Sequence, residues 1–429
     1  MKNTQLNSWM WRWHTIAGLI TLPVFTILAF TGLLILLQSD YEALKHAEIR
    51  QVEPQQEQVS LEQQLAAATR AFGKIPGSYT IKSDPNLATE FVTGHHGDKS
   101  YILVNQYTGE VTGSYKRGDA FFDIMRSLHG ELMLGKFGSY VIELVNSWCF
   151  VLVVTGLFVW WPKKKFKLSG FFTIRFNKGK RLLYRDLHSV LGAWTALVLI
   201  IMLASGMFLT VVFGVLYKDI QKQTGSAYPS IWRSGKSLSS TPTGDPLTLD
   251  AMVSIAQQLE LPGKITISIP KKATSVFTVK NRTSFADQQV VHIDQYSGEI
   301  LKRVTWDEVG AMAATRSLFM RLHMGSFYGL PYWYLLVVSM VIFTLMSVAG
   351  LVAYLMRKPK GRWGLTRVPD SFRVNKFIVA MIAVFAVLLP LFGMSLVMII
   401  GGTYMHKIIT NKRQSKHAAA SSLDANTAA

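Results

Sequence analysis

Residues 14–32 read HTIAGLITLPVFTILAFTG, and residues 188–206 read HSVLGAWTALVLIIMLASG. Each stretch opens on a histidine, carries a glycine four residues later, and ends in a hydroxyl residue and a second glycine 18 residues after the histidine. No charged side chain interrupts either one. An apolar run of about 18 residues or more is long enough to cross the hydrocarbon core of a bilayer as a helix. Both stretches therefore read as membrane spans, and their common pattern points to a repeated unit.

Further landmarks recur in the same order. His129 precedes Gly156 by 27 residues, and His323 precedes Gly350 by 27. Residues 101–110 read YILVNQYTGE and residues 290–299 read VVHIDQYSGE. Span, intervening segment and span thus repeat as a block. Each block holds two spans, an even number, so both insert with the same orientation. Such halves are related by a pseudo-twofold axis along the membrane normal.

Composition agrees with a membrane protein. Of 429 residues, 49% are hydrophobic and only 17% charged, against about 25% charged in an ordinary soluble domain. This excludes a soluble enzyme, a disordered chain and a disulfide scaffold, and the lone Cys149 forms no intrachain bridge. The net charge of +19 is not spread as a nucleic-acid footprint would be. Residues 162–187 carry nine Lys/Arg against one acid, and residues 357–376 carry seven against one. Each segment joins two apolar runs, the positive-inside signature of cytoplasmic loops.

The chain divides accordingly. Residues 1–37 hold the first transmembrane helix, too long and lacking the exit site of a cleaved signal peptide. Residues 38–120 form an outer domain, 121–161 the second helix with its lead-in, and 162–187 a basic cytoplasmic loop. The third helix is 188–216, a second outer domain is 217–310, and the fourth helix with its lead-in is 311–356. A second basic loop (357–376), a fifth helix (377–403) and a tail (404–429) complete the chain. The N-terminus is then cytoplasmic and both outer domains face away from the cytoplasm. Five spans put the tail outside, although it carries Lys407, Lys412, Arg413 and Lys416.

Both outer domains read as small α+β domains. Helix-like stretches at 60–72 and 248–261 are followed by strand-like runs that include 78–81, 100–104, 265–269 and 276–280. Residues 105–109 and 294–298 have the Asn, Asp and Gly of hairpin turns. Nothing in them has catalytic spacing.

The histidines carry the chemistry. His14, His129, His188 and His323 fall at the mouths of apolar helices in matched repeat positions. An ionisable residue at membrane depth is expensive unless paired or liganded. One such histidine needs no role beyond meeting headgroups, but four in register call for one. The other six histidines (His46, His95, His96, His292, His406 and His417) share no such pattern. Topology pairs His14 with His188 at the cytoplasmic side and His129 with His323 at the outer side. Two opposed imidazoles without Cys or carboxylate suit the axial positions of a haem iron, whereas zinc would want a third or fourth ligand. On a helix 18 residues make five turns, which puts Gly18 and Gly32 near the face of His14, with Gly192 in the same relation to His188. Glycines there leave room for a flat macrocycle or for close helix packing. Arg12, Arg126, Arg185 and Arg321 stand two or three residues before each histidine, placed either for haem propionates or for lipid headgroups.

The motifs Trp13-His14-x3-Gly18, Ser127-Leu128-His129-Gly130, Thr155-Gly156-Leu157-Phe158-Val159-Trp160-Trp161-Pro162, Asp186-Leu187-His188-x3-Gly192 and the two QY[TS]GE turns resemble the PepSY-associated transmembrane proteins. These are often iron-regulated bacterial inner-membrane proteins and include ferric-siderophore reductases. The resemblance runs to about Met356. It implies two b-type haems held by the membrane histidines, PepSY-like domains in the periplasm, and electron transfer from the cytoplasmic side. Two features depart from it: the fourth span ends GLVAYL rather than in Trp-Trp-Pro, and a fifth helix follows.

The expected function is therefore a di-haem conduit in the bacterial inner membrane that reduces a periplasmic ferric chelate, such as a ferric siderophore. Its partners would be that chelate, the lipid bilayer and a quinol or cytoplasmic electron donor, with no nucleic acid. The competing expectation is a membrane-anchored PepSY module that binds a periplasmic protease or assembly partner. A repeated His-Gly pattern speaks against pure anchoring, because an anchor needs only apolarity. A permease would want polar residues within its spans, and Glu143 is nearly alone there.

Overall fold

The computed structural model describes residues 2–427 except 83, 95–97, 163–169, 234, 236, 284–285, 367 and 370–371, and describes only the backbone of 2–4 and 412–427. The His95–His96 pair and part of the first basic loop lie outside the described residues. The chain forms two units. One comprises Met1–Leu33, Ser127–Tyr217 and Phe319–Ala429, and the other Leu34–Arg126 and Lys218–Leu318.

The first unit is helical. Gln5–Leu36, Gly135–Trp160, Leu330–Arg357 and Pro390–Asn411 are each long and apolar enough to cross a membrane. The third expected helix departs from a single rod. It is a bent pair, Lys180–Trp194 and Ala196–Met207, with a 68° bend. At the break Thr195 turns its hydroxyl onto the Leu191 carbonyl at 2.7 Å, a back-bond that loosens the helical ladder and favours bending. The helix ends at Met207 rather than running on to 216, and a new one (Phe213–Gln223) begins. The carboxylate of the fully buried Glu143 accepts from the Val212 and Phe213 amides at 2.7 and 2.9 Å. A helix start exposes unpaired N–H groups and a partial positive charge, so Glu143 has a structural partner.

The fifth expected helix is also divided, into Lys376–Leu388 and a helix beginning at Pro390. Proline cannot continue a helical hydrogen-bond ladder. The Ala386 carbonyl lies against Gly393, seven residues on, whereas a straight helix rises about 10 Å over that interval. The chain turns sharply here, and Gly393 provides the space. The second half of this segment docks on the second span: the Trp148 ring meets Phe392 edge-on at 4.9 Å, and its Nε1–H donates to the Ser395 hydroxyl at 3.1 Å.

The second unit is built on one antiparallel sheet: β1 (Ser78–Thr80), β2 (Thr89–Thr93), β3 (Ser100–Val104), β4 (Val111–Lys116), β5 (Lys264–Ser268), β6 (Phe277–Arg282), β7 (Gln289–Ile293) and β8 (Ile300–Thr305). Its order is β4-β3-β2-β1-β5-β6-β7-β8. The two expected α+β domains therefore share a sheet, joined where Tyr79 of β1 faces Ile267 of β5. Left apart, β1 and β5 would each present an unpaired edge. The helices Leu61–Phe72 and Leu249–Gln258 cover one common core, in which Ala68, Phe91, Met252, Ile267, Val279 and Val291 are completely or almost completely buried. Each helix also caps the other. Asp250 accepts from the Leu61 and Glu62 amides at 2.8 and 2.9 Å, and Glu62 accepts from the Leu249 amide at 2.9 Å. The expected turns form as hairpins: Asn105 and Asp294 side chains accept from the amides two residues on at 2.9 and 2.8 Å, and Gly109 and Gly298 supply the positive φ.

Candidate functional site

Four histidines on four different helical segments meet in two pairs within the helical unit. The rings of His14 and His188 have centroids 6.2 Å apart at an interplanar angle of 62°. Those of His129 and His323 are also 6.2 Å apart, at 50°. An imidazole nitrogen holds a first-row metal at about 2 Å, so two rings on opposite sides of one ion have centroids roughly 6 Å apart. The spacing therefore admits a single iron between each pair. Among the described residues, no three His, Cys, Asp or Glu converge as a larger ligand set.

Each ring is anchored through Nδ1. His188 Nδ1 lies 3.0 Å from the Met346 carbonyl, and His129 Nδ1 lies 3.1 Å from the Leu28 carbonyl. A carbonyl only accepts, so Nδ1 carries the proton in both. His14 Nδ1 lies 3.0 Å from Thr155 Oγ1, and that hydroxyl donates to the Val151 carbonyl at 2.8 Å. His323 Nδ1 lies 3.0 Å from Ser205 Oγ, which donates to the Met202 carbonyl at 2.9 Å. With its hydrogen already given away, each hydroxyl accepts from the imidazole. Thr31 serves His129 in the same way, donating to Ile27 at 2.7 Å and lying 3.1 Å from Nδ1. All four rings are thus Nδ1–H tautomers whose Nε2 keeps its lone pair. Among the described residues no hydrogen bond reaches those Nε2 atoms. A metal-bound histidine characteristically donates its remote N–H in this manner.

Glycine seats the rings. A Cβ on Gly156 would stand 3.0 Å from His14, one on Gly350 2.6 Å from His188, one on Gly32 3.1 Å from His129, and one on Gly206 3.6 Å from His323. Gly32 therefore serves the His129 ring and not the His14 face expected for it. The reason is length: 18 residues rise about 27 Å, nearly the thickness of the hydrocarbon core. Gly18 has nothing within 4 Å of its Cβ position and opens onto a cavity, while Gly192 faces the Met346 sulfur at 3.0 Å.

That cavity, of about 840 Å³, is lined by His14, His188, Gly18, Gly192 and a largely apolar wall. Arg181, Arg185 and Arg357 also line it. Arg357 lies with its guanidinium carbon 3.8 Å from the Trp11 ring centroid, and Arg185 pairs with the buried Asp186 at 2.8 Å. The expected arginines divide. Arg185 is at the cavity and Arg12 is not among its lining residues. Arg126 belongs to the sheet-bearing unit, where it donates to Gln38 at 2.7 Å and pairs with Asp123. Arg321 stands in the last turn of the helix Ala311–His323.

Sequence reasoning passed over Arg181, Arg357 and the hydroxyl anchors. A signal for the anchors was present in Thr31-Gly32, Thr155-Gly156 and Ser205-Gly206, a hydroxyl before each seating glycine. At the fourth seat Ala349 precedes Gly350, and there the Met346 carbonyl acts without a hydroxyl.

Donor chemistry, ring spacing and cavity fit a bis-histidine haem at His14 and His188, and the His129–His323 pair repeats the same donor set. The PepSY-associated TM region family model matches residues 11–357. The chain is a multi-pass membrane protein of that family, with its C-terminal apolar helices beyond the match. Comparison with curated proteins found no match.

Proposed function

We propose that this protein carries electrons from the cytoplasmic side of the bacterial inner membrane to a ferric chelate in the periplasm, a ferric siderophore being the natural substrate. In this reading the chain is a duplicated two-helix unit, its N-terminus is cytoplasmic and its sheet-bearing segments are periplasmic. His14 and His188 hold one haem b near the cytoplasmic face, and His129 and His323 hold a second near the outer face. Haem b supplies a reversible one-electron Fe(III)/Fe(II) couple. The observation that carries the reading is the set of four Nδ1–H groups fixed on neighbouring helices, which leaves the lone pair on each of the four Nε2 atoms.

The residues do the positioning. Thr155, Ser205 and Thr31 and the Met346 and Leu28 carbonyls hold ring orientation and tautomer. Arg181, Arg185 and Arg357 place positive charge where carboxylates of a cofactor would sit. A largely apolar wall surrounds the His14 and His188 rings. Hard oxygen ligands hold Fe(III) more tightly than Fe(II), so one-electron reduction releases the metal from its chelate. The donor on the cytoplasmic side would be a quinol or a soluble reductase.

The reading is tested by stopped-flow mixing of dithionite-reduced protein with a ferric hydroxamate. Oxidation of the protein is expected without uptake of the chelate. His129→Ala or His323→Ala should slow that step, while His14→Ala or His188→Ala should spare it and block refilling from the cytoplasmic side. Equal behaviour of all four variants would mean the pairs do not form an ordered path. A protein that binds no haem would instead favour a PepSY module that docks a periplasmic partner.

A further inference from the structure

The second half of the sheet carries a pocket of about 310 Å³ that the histidine pairs do not use. Its lining includes Tyr228, Trp232 and Arg233 from one segment and Lys280, Gln288 and Gln289 from in and around β6 and β7. The Trp232 ring is nearly parallel to Tyr228, with centroids 6.1 Å apart at 24°, and meets Trp306 edge-on at 5.7 Å. The Arg233 guanidinium carbon lies 5.7 Å from the Tyr228 ring centroid. No carboxylate stands among the lining residues.

The aromatic wall is fastened to the sheet. His292 is fully buried, and its Nε2 lies 2.9 Å from the Ile231 carbonyl. That carbonyl only accepts, so Nε2 donates, and Nδ1 accepts from the Thr278 hydroxyl at 3.0 Å. Gly235 packs against the same ring, where a Cβ would come within 2.8 Å of Nδ1. Lys280 Nζ donates to the Arg233 carbonyl at 2.6 Å. Burial first, and Arg233 second, push the Lys280 ammonium below the usual lysine range. A cation so desolvated gains from an anionic partner.

At the matched positions of the first half of the sheet the residues differ. By strand register, Val92 opposite Tyr101 takes the place of Lys280 opposite Val290, and Leu103 opposite Glu90 takes the place of His292 opposite Thr278.

We propose that this pocket binds a small planar anion, an aryl carboxylate or catecholate, with its ring on the Tyr228–Trp232 wall and its oxygens toward Lys280 and Arg233. Stacking on aromatic and guanidinium planes and charge-assisted bonds to two cations suit that ligand together. The volume is at the lower end of small-molecule sites, about 300–1,000 Å³, so it takes one aryl unit and not a whole hexadentate chelate. A free aryl acid and the same ring as one arm of a ferric chelate share this chemistry.

The test is isothermal titration calorimetry of the detergent-solubilised full-length protein with 2,3-dihydroxybenzoate, its ferric complex and neutral catechol. Saturable 1:1 binding of 2,3-dihydroxybenzoate is expected, with neutral catechol at least tenfold weaker. Arg233→Gln and Trp232→Ala should each weaken it at least tenfold. Gln288→Glu, a half-buried change that breaks no hydrogen bond of the wall fastening, should weaken it through charge alone. Binding of the ferric complex in competition with the free acid would identify a chelate arm, and binding of the free acid alone would identify the aryl acid itself. No saturable binding, or binding unchanged in all three variants, would overturn the proposal.

Discussion

The Nδ1–H of His188 donates to the Met346 carbonyl at 3.0 Å, across a contact in which Gly350 leaves no room for a Cβ. His14 has the same relation to the second span, through Thr155 and Gly156. Each ring is thus held by the backbone or a backbone-locked hydroxyl of a different helix, and its orientation is set before any ligand arrives.

The hydroxyl anchors should tune one site each. An N–H that loses its acceptor makes the imidazole a weaker donor, and weaker donation favours Fe(II). Thr155→Val should raise the midpoint potential of one haem by tens of millivolts, where about 59 mV is a tenfold change for one electron. Ser205→Ala should raise the other. Spectroelectrochemical titration checks this, and identical titrations of both variants and the wild type would count against the anchoring role.

Gly350 and Gly18 should respond to alanine to different degrees. A Cβ at Gly350 would stand 2.6 Å from His188 Nδ1, whereas one at Gly18 meets nothing within 4 Å. Gly350→Ala should lose most of the haem held at His14 and His188, with the other site retained. Gly18→Ala puts a methyl at the wall of the same cavity without touching either ring, and should lower that haem less than Gly350→Ala does. Pyridine haemochrome quantification gives the stoichiometry.

His292 should give the sheet-bearing unit an acid sensitivity. Burial, with a further push from Lys280, lowers its pKa below the ordinary value of 6.5. The unfolded chain then takes up a proton that the native state refuses. The stability is present above about pH 6.5 and is lost as pH falls through that value. Wild type should lose more thermal stability between pH 7.5 and 5.5 than His292→Leu, which installs the residue found at Leu103. Equal losses by circular dichroism would assign the sensitivity elsewhere.

The divided C-terminal segment changes where the tail is expected. Lys376–Leu388 has 13 residues, about 20 Å of helix against a core of about 30 Å. A short helix that turns sharply at Leu389–Pro390 and returns through Pro390–Asn411 leaves the tail on the side it started from. Lys407, Lys412, Arg413 and Lys416 would then be cytoplasmic, as their charge asks. Fluorescence from a C-terminal GFP fusion is the expected result, and activity from a C-terminal alkaline phosphatase fusion would place the tail outside.

Much of this was legible in the chain because the signals are local or repeated. Apolar runs located the membrane helices, and matched offsets paired His14 with His188 and His129 with His323. The Asn105 and Asp294 turns were marked by side chains that bond their own backbone. What escaped depends on distant partners. The cap on Val212 and Phe213 needs Glu143, some 70 residues away. The merged sheet needs β1 to meet β5, which no periodicity encodes. Gly32 shares an angular face with His14 but stands about 27 Å along the helix from it, a separation that matched offsets do not express.

The central claim is tested most directly by the absorption spectrum of the purified full-length protein from haem-replete cells, before and after dithionite. Two b-type haems per chain are expected, with the sharp reduced α band and Soret shift of six-coordinate bis-histidine iron. His188→Ala should halve the haem content and His292→Ala should leave it unchanged. A colourless protein, or haem that persists at two per chain when His188 is removed, would contradict the account.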